Sequence, residues 1–347
     1  MISARQLSRL ILVGFMLMVG LIYLSYTFNG STDNGAIVRT RVAQQLRPES
    51  GFVGKPDKTV VFFAYHEGSL LEASNLEYFA KAGIWDRTDI DFVLIVNGEK
   101  CTACLDKSSK LYLPNVRILL RENSGFDFAA YSFALESTKT SDYRYFIFIN
   151  GGVRGPIVPS YKLPGISSWH QIFIEMLQGN VKLAGPTISC EEQIHVQTHM
   201  FALERSGLEV AIAANIFTTS GKSILELVRH SELGLTEVIM NNWFDISCLL
   251  LQYKSYDWSE MFHRDASKGR NVCNSGRNPN IENSYGGLFR GERRNPSVLE
   301  IVFFKRGGTA HKECPLKEIG AYGTKESCEY DILVDDLSEW TLAALPI

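Results

Sequence analysis

The chain has 347 residues, 45% hydrophobic and 21% charged, with a net charge of -3. That length suits one large α/β domain or two small ones. A slightly acidic balance without a basic patch leaves no electrostatic footprint for a polyanion, so no nucleic-acid partner is expected.

Residues 10–28 form an uncharged run preceded by Arg5 and Arg9. Its length is about one bilayer crossing. Positive residues on the amino side, with Asp33 beyond the run, predict a cytoplasmic tail over 1–9, a transmembrane anchor over 10–28 and a lumenal or outer remainder. This is the single-pass type II orientation. A cleaved signal peptide is the alternative, but its apolar core is usually shorter and ends near an A-x-A-like site. Residues 29–58 are rich in Gly, Ser, Asp, Asn, Gln, Arg and Pro, with too little apolar periodicity to bury a face, and read as a stem.

Seven cysteines (Cys101, Cys104, Cys190, Cys248, Cys273, Cys314 and Cys328) follow the anchor, where an oxidising lumen would let some of them pair. Cys101-x-x-Cys104 has no second pair at ligand spacing, so a structural pair or free thiols are expected rather than zinc or redox chemistry.

Residues 59–65 are a continuous apolar run rich in β-branched and aromatic residues, as in a strand buried on both faces. His66-Glu67-Gly68 follows. Apolar spacing predicts a helix over 71–82 capped by Gly83. Further strands are expected at 92–96, 116–120 and 145–149, and their alternation with helices implies a parallel sheet. Ligands of such sheets bind beyond the carboxyl ends of the strands. Two polar glycine loops fall there, Arg121-Glu122-Asn123-Ser124-Gly125-Phe126-Asp127 and Asn150-Gly151-Gly152-Val153-Arg154-Gly155-Pro156. Gly125 permits close backbone approach and Asp127 supplies an acceptor for a ribose or base. Neither the P-loop nor the dinucleotide fingerprint is present, which leaves another nucleotide or a sugar as ligand.

Signals are less regular from residue 181 onward. Residues 194–202 alternate as a strand would, placing His195, Gln197 and His199 on one face. Histidines four apart on a strand are about 13 Å apart, too far to share an ion. They read as substrate-facing polar residues or as ordinary half-buried histidines. Residues 222–253 read as two helical pieces broken near Gly234, with Glu232 at the junction, where a carboxylate can face a cleft. A last strand is expected at 298–304, followed by a polar loop to His311, and no motif is found from 312 onward.

Glu122-Asn123-x-Gly125-x-Asp127, the helix that follows, and the apolar strand running into Asn150-Gly151-Gly152-Val153-Arg154-Gly155-Pro156 resemble the nucleotide-sugar half of a GT-A glycosyltransferase. The closest resemblance is to the rhamnan synthesis protein F group. Fainter similarities lie at Ala184-Gly185-Pro186, His195-Val196-Gln197-Thr198, Glu232-Leu233-Gly234-Leu235 and residues 299–305. The resemblance implies a GT-A-like mixed, mainly parallel sheet flanked by helices over 59–311, with a tail of unknown role over 312–347. It also implies a nucleotide-sugar donor, a glycan or glycoconjugate acceptor, and a Golgi or other secretory-pathway membrane reached through the anchor. Tyr65, Asn123, Gly125 and Asp127 would hold the nucleotide, with Asn150 and Gly151 beside the diphosphate and Gln197 and His199 towards the acceptor.

The departure from the pattern lies at the end of the 145–149 strand, where many GT-A enzymes carry an acidic D-x-D for Mn²⁺ or Mg²⁺ and this chain has Asn150-Gly151-Gly152. Hard cations are held chiefly by charged oxygens, so metal use is open and no metal ligand is assigned. Asp89-Ile90-Asp91 precedes its strand and belongs to solvent at the far end of the sheet. Arg154, Arg121 or backbone amides are candidates to stabilise the leaving diphosphate. Glu232 is the first candidate for the base that takes the acceptor proton, with Glu191, Glu192, His195 and His199 as alternatives. His311 is a further candidate to approach the diphosphate. The missing acidic pair also supports a second expectation, a catalytically silent GT-A-like protein that binds or scaffolds glycans.

Overall fold

The structure, a computed structural model, describes residues 57–158, 168–189, 193–254, 256–267 and 300–305. The expected tail, anchor and most of the stem lie outside the described residues, as do Glu191, Glu192 and His311. In chain order the strands are β1 (Thr59–Tyr65), β2 (Ile90–Asn97), β3 (Val116–Arg121), β4 (Tyr145–Asn150), β5 (Val153–Arg154), β6 (Val181–Gly185), β7 (Ile188–Ser189), β8 (His195–Val196), β9 (Met200–Glu204), β10 (Asp245–Cys248) and β11 (Phe304–Lys305). The helices are α1 (Leu70–Ala82), α2 (Phe126–Glu136), α3 (Trp169–Met176), α4 (Arg205–Ala213), α5 (Ile224–Leu227), α6 (Gly234–Asn241) and α7 (Trp258–Ser267).

Seven strands make one sheet in the order β10-β6-β9-β4-β1-β2-β3. Only β9 runs against its neighbours β4 and β6; the remaining pairs are parallel. The sheet is therefore mixed and mainly parallel, as expected. All of β1 is buried, which a strand covered on both faces achieves with an unbroken apolar run. Helix α1 starts on Ser69, whose Oγ accepts the Leu71 N–H at 3.1 Å, and ends at the expected Gly83, whose N–H donates to Phe79 O at 2.7 Å. Helix α2 buries Phe128, Tyr131 and Ala134. Tyr131 meets Phe148 of β4 edge-on at 5.0 Å, and Phe148 stacks on Phe201 of β9 at 4.7 Å. Each such buried aromatic contributes about 1.5–3 kcal/mol.

The chain lays β1, β2 and β3 outward to one edge, then returns to place β4 on the other side of β1. Strand order reverses there. A crevice opens beyond the carboxyl ends of strands at such a reversal, and the residues at those ends are Tyr65 and Asn150.

Four expectations are corrected. Residues 194–202 do not form one strand: β8 pairs with β7, β9 joins the large sheet, and a turn separates them. The intervening backbone groups have separate partners, with Val196 N–H donating to Thr236 Oγ1 at 3.0 Å and His199 O accepting from Asn150 N–H at 3.0 Å. Any Cβ on Gly185 would lie 2.5 Å from Val196 Cγ1, so this crossing requires glycine. Nor does the helix break at Gly234: residues 224–241 are continuously helical through a π-turn at Val228–Leu233. Gly234 N–H donates five residues back to Arg229 O. Residues 245–248, read as helix, form β10. The last strand is shorter than expected, since only Phe304–Lys305 pairs, with β5, although Ile301 to Phe304 are buried.

Cys101 and Cys104 are joined in a disulfide. Asp89 pairs with Arg87 at 2.7 Å and Asp91 with Lys58 at 2.7 Å, so both carboxylates of the D-x-D are ion-paired at the amino end of β2.

Candidate active site

Gly125 (φ 73) and Phe126 (φ 59) take consecutive left-handed conformations and turn the chain from β3 into α2. A Cβ on Gly125 would stand 2.7 Å from Ala129 Cβ and 2.9 Å from Thr219 Oγ1. Holding a bulky residue such as Phe126 at positive φ costs about 1–3 kcal/mol, and strain of this kind clusters at functional sites. Its result is to set Asp127 in the first turn of α2, where the helix dipole favours a carboxylate.

The loop after β4 approaches the same point. Gly151 N–H donates to Ala64 O at 2.8 Å, and Gly151 O accepts from Asn75 Nδ2 at 3.1 Å. Asn150 Oδ1 accepts the Gly152 N–H at 3.0 Å. This fixes the amide, and the Asn150 side chain also hydrogen-bonds the Asp127 carboxylate. The two loops singled out in the sequence therefore meet side chain to side chain.

Two further charges converge here. Glu232 lies in the π-turn, a distortion often found at functional sites, and its carboxylate is hydrogen-bonded by Thr198. Lys305 is carried in by β11, which pairs it with Val153, three residues beyond Asn150. Burial raises the Asp127 carboxyl to about 6, and the Glu232 charge adds to this against the Asn150 hydrogen bond and Lys305. Burial also raises Glu232, opposed by Lys305 and Thr198. The His199 imidazole is pushed down to about 3 by burial and then by Lys305, so it is neutral at physiological pH. Beneath them Tyr131 is fully buried. Its hydroxyl makes no hydrogen bond among the described residues, and burial, Asp127 and Glu232 all raise its pKa.

Other expected site residues occupy neighbouring positions. The Tyr65 hydroxyl donates to Glu67 Oε2 at 2.9 Å. Glu67 also accepts from Thr102 N and Oγ1, each at 2.6 Å, and pairs with Lys100 at 2.9 Å. Burial would raise this carboxyl, but the Thr102, Lys100 and Tyr65 hydrogen bonds outweigh it and hold it at about 2. Asn123 is exposed and 3.4 Å from His66 Nε2. Arg121 donates to Asn97 Oδ1 and to Ser124 O, bracing the Gly125 loop. Arg154 donates to Ser74 O at 2.7 Å and lies over the Tyr78 ring. Its buried guanidinium ties β5 to α1. Gln197 accepts from Thr187 Oγ1 at 2.5 Å, and His195 Nδ1 is 2.9 Å from Gln193 O, so both brace the β7–β8 hairpin.

The sequence reading assigned no role to Lys305, Thr198 or Tyr131. For Lys305 the available signal was its place as the first cation after a buried apolar run. Thr198 and Tyr131 carry no local signal.

A divalent cation in this chemistry needs carboxylate oxygens that are free of competing cations. Among the described residues no group of three or more His, Cys, Asp or Glu side chains could hold a metal ion. The two carboxylates present already feel the Lys305 ammonium. The described residues thus do not fit a metal cage. They do offer a fixed cation for an anion and a raised carboxylate that can take a proton.

No family model and no curated protein matches the chain. Among solved structures it is similar to a mannosyltransferase from Pyrobaculum calidifontis in complex with GDP-mannose and Mn²⁺, at 11% identity and a TM-score of 0.38, covering 66% of this chain and 68% of that one. It is similar to the glycosyltransferase GlyE of Streptococcus pneumoniae TIGR4 at 12% identity and a TM-score of 0.39, covering 82% and 64%. A third is S. aureus TarS in complex with UDP, at 12% identity and a TM-score of 0.36, covering 53% and 55%. Likeness this distant carries no functional argument, and function is read from the side chains at the rim.

Proposed function

We propose that this chain is a glycosyltransferase that moves a sugar from a nucleotide-sugar donor to a glycan or glycoconjugate acceptor. The observation that carries this reading is the Asp127–Asn150 hydrogen bond at the point where strand order reverses, with Glu232 and Lys305 coupled to it. The loop after β3 holds the nucleoside, the loop after β4 takes the diphosphate, and Lys305 offsets the charge that grows on the leaving nucleoside diphosphate. Glu232, raised by burial, accepts the proton of the attacking acceptor hydroxyl. A resemblance in sequence to the rhamnan synthesis protein F group is the source of the Asp127, Asn150 and Glu232 roles, and the Lys305 role is added from the pairing of β11 with β5. Lys305 replaces the cation that an acidic pair would otherwise bind, so turnover is independent of Mn²⁺ and Mg²⁺.

The uncharged run at 10–28 and the Cys101–Cys104 disulfide support a Golgi or other secretory location with the folded part lumenal. Asn150 in place of an acid also favours a second reading, a silent glycan-binding or scaffold protein. The purified full chain, incubated with a panel of nucleotide sugars and acceptors in Mn²⁺ or in EDTA, separates the two. Release of nucleoside diphosphate that Asp127→Ala abolishes supports the transferase; glycan binding without nucleotide affinity supports the scaffold.

A further inference from the structure

Far from this crevice, Trp243 occupies a position that normally requires glycine. Helix α6 ends at Asn241, and the chain closes it with two bonds, Trp243 N–H to Met240 O at 2.9 Å and Phe244 N–H to Ile239 O at 3.2 Å. That pair is the helix-ending motif whose left-handed residue is usually glycine, because any Cβ there is strained. Here the left-handed residue is Trp243, at φ 63. The motif explains the backbone and not the side chain. A tryptophan is the less stable choice at this position, and the residue is 65% exposed.

The ring is also held in place. It stacks on His263 of α7, with centroids 3.7 Å apart and planes within 19°, and His263 is itself fixed by Nε2 at 2.8 Å from Met240 O. Asn180 Nδ2 donates to Trp243 O at 2.7 Å. One ring face is covered and the other is open. Around it the surface is polar, with Asn180 and Asn241 exposed and Asn242 partly so. Among the described residues, no other large exposed apolar side chain lies in the segments that touch Trp243. Single exposed apolar residues are ordinary on a protein surface, but a bulky one that is strained and stacked, with polar neighbours at Asn180, Asn241 and Asn242, is not. An apolar protein patch or a bilayer would call for several apolar neighbours. A pyranose has one C–H face that lies on the electron-rich face of an aromatic ring, and hydroxyls at its edge that pair with amide donors and acceptors.

We propose that Trp243, with Asn180 and Asn241, forms a glycan-binding platform separate from the transfer site. The platform precedes β6 and β10, at the amino ends of strands parallel to β4, whereas Asn150 sits at a carboxyl end. It therefore engages a part of a glycan remote from the reacting residue. The identity of the ligand rests on the reading that the acceptor is a glycan, but the binding test does not depend on turnover.

The test is ligand-observed NMR of the full chain with mannotetraose, the N-acetylglucosamine tetramer and a rhamnose trisaccharide, alongside donor turnover measured without acceptor. At least one oligosaccharide is expected to bind. Trp243→Gly and Trp243→Asn, both compatible with positive φ, should weaken it about tenfold or more, Trp243→Phe should retain it, and donor turnover should not change. The melting temperature of Trp243→Gly should equal or exceed that of the parent. Binding to no oligosaccharide, or equal binding by parent and Trp243→Gly, overturns the proposal. A change confined to oligomeric mass or to retention on lipid vesicles overturns it as well. Oligosaccharide binding without donor turnover in the parent keeps the platform and removes the transferase reading.

Discussion

The Asn150 side chain hydrogen-bonds the Asp127 carboxylate and so joins the loop after β4 to the first turn of α2. Through this contact two loops far apart in sequence become one rim. The contact also leaves Asp127 in an unusual electrostatic state, because the hydrogen bond and Lys305 only partly offset burial and the nearby Glu232.

That state has a pH signature. The folded-state pKa of Asp127 is raised to about 6, so folding favours the protonated form. The stabilisation is fully present below about pH 4 and lost as the pH rises through about 6. Asp127→Asn mimics the protonated form, and should stabilise the fold by about 1–3 kcal/mol at pH 7.5 with the gain vanishing near pH 4. Thermal melts of both proteins between pH 4 and 8 measure this. A variant less stable than the parent at pH 7.5 would mean that the ionised aspartate is well paired in the folded state and its pKa is not raised.

Glu232→Gln preserves size and hydrogen bonding to Thr198 but cannot take a proton. Turnover should fall by about 10²–10⁴-fold, while donor affinity stays within a few-fold. Steady-state kinetics and equilibrium binding together report both quantities. A variant with near-parental kcat assigns the base elsewhere.

Lys305→Ala removes the cation that faces Asp127, Glu232 and His199. Donor affinity should drop by about tenfold or more, with Lys305→Arg recovering part of it. Without Lys305 the Asp127 carboxyl should titrate still higher, which a ¹³C-detected NMR titration of its side chain would show.

Two structural substitutions check the frame. Gly125→Ala places a Cβ at 2.7 Å from Ala129 Cβ in a left-handed conformation, and should cost about 1–3 kcal/mol along with donor binding. Glu67→Gln breaks the anchor that receives Tyr65, Thr102 and Lys100, and should cost about 1–3 kcal/mol at pH 7. Glu67 titrates at about 2 in the folded state, below the ordinary value for glutamate. Its contribution is present above about pH 4.5 and lost as the pH falls through 2. Chemical denaturation at pH 7 and pH 3 follows both effects.

The central sheet was legible because β1, β2 and β4 are apolar runs buried on both faces, a signal that needs no partner to interpret. Asp127 and Asn150 were legible as polar residues in glycine loops closing such strands. Lys305 was not, since its place depends on β11 pairing with β5 across more than a hundred residues, and a lysine after an apolar run looks like any surface lysine. Residues 194–202 misled because alternation is local while the backbone partners of Val196, Gln197 and His199 lie in three separate segments. Ile246, Leu249 and Leu250 continue a helical spacing past Trp243, yet a left-handed residue ends the helix there, and nothing in a tryptophan announces positive φ.

Calorimetric titration of the full chain with UDP, GDP and their sugar conjugates in EDTA tests most directly whether this rim is a metal-independent donor site. At least one of these ligands should bind the parent, and Asp127→Ala and Lys305→Ala should each weaken it about tenfold or more. Binding by none of them, binding only after Mn²⁺ is added, or equal affinity in parent and variants would contradict the account.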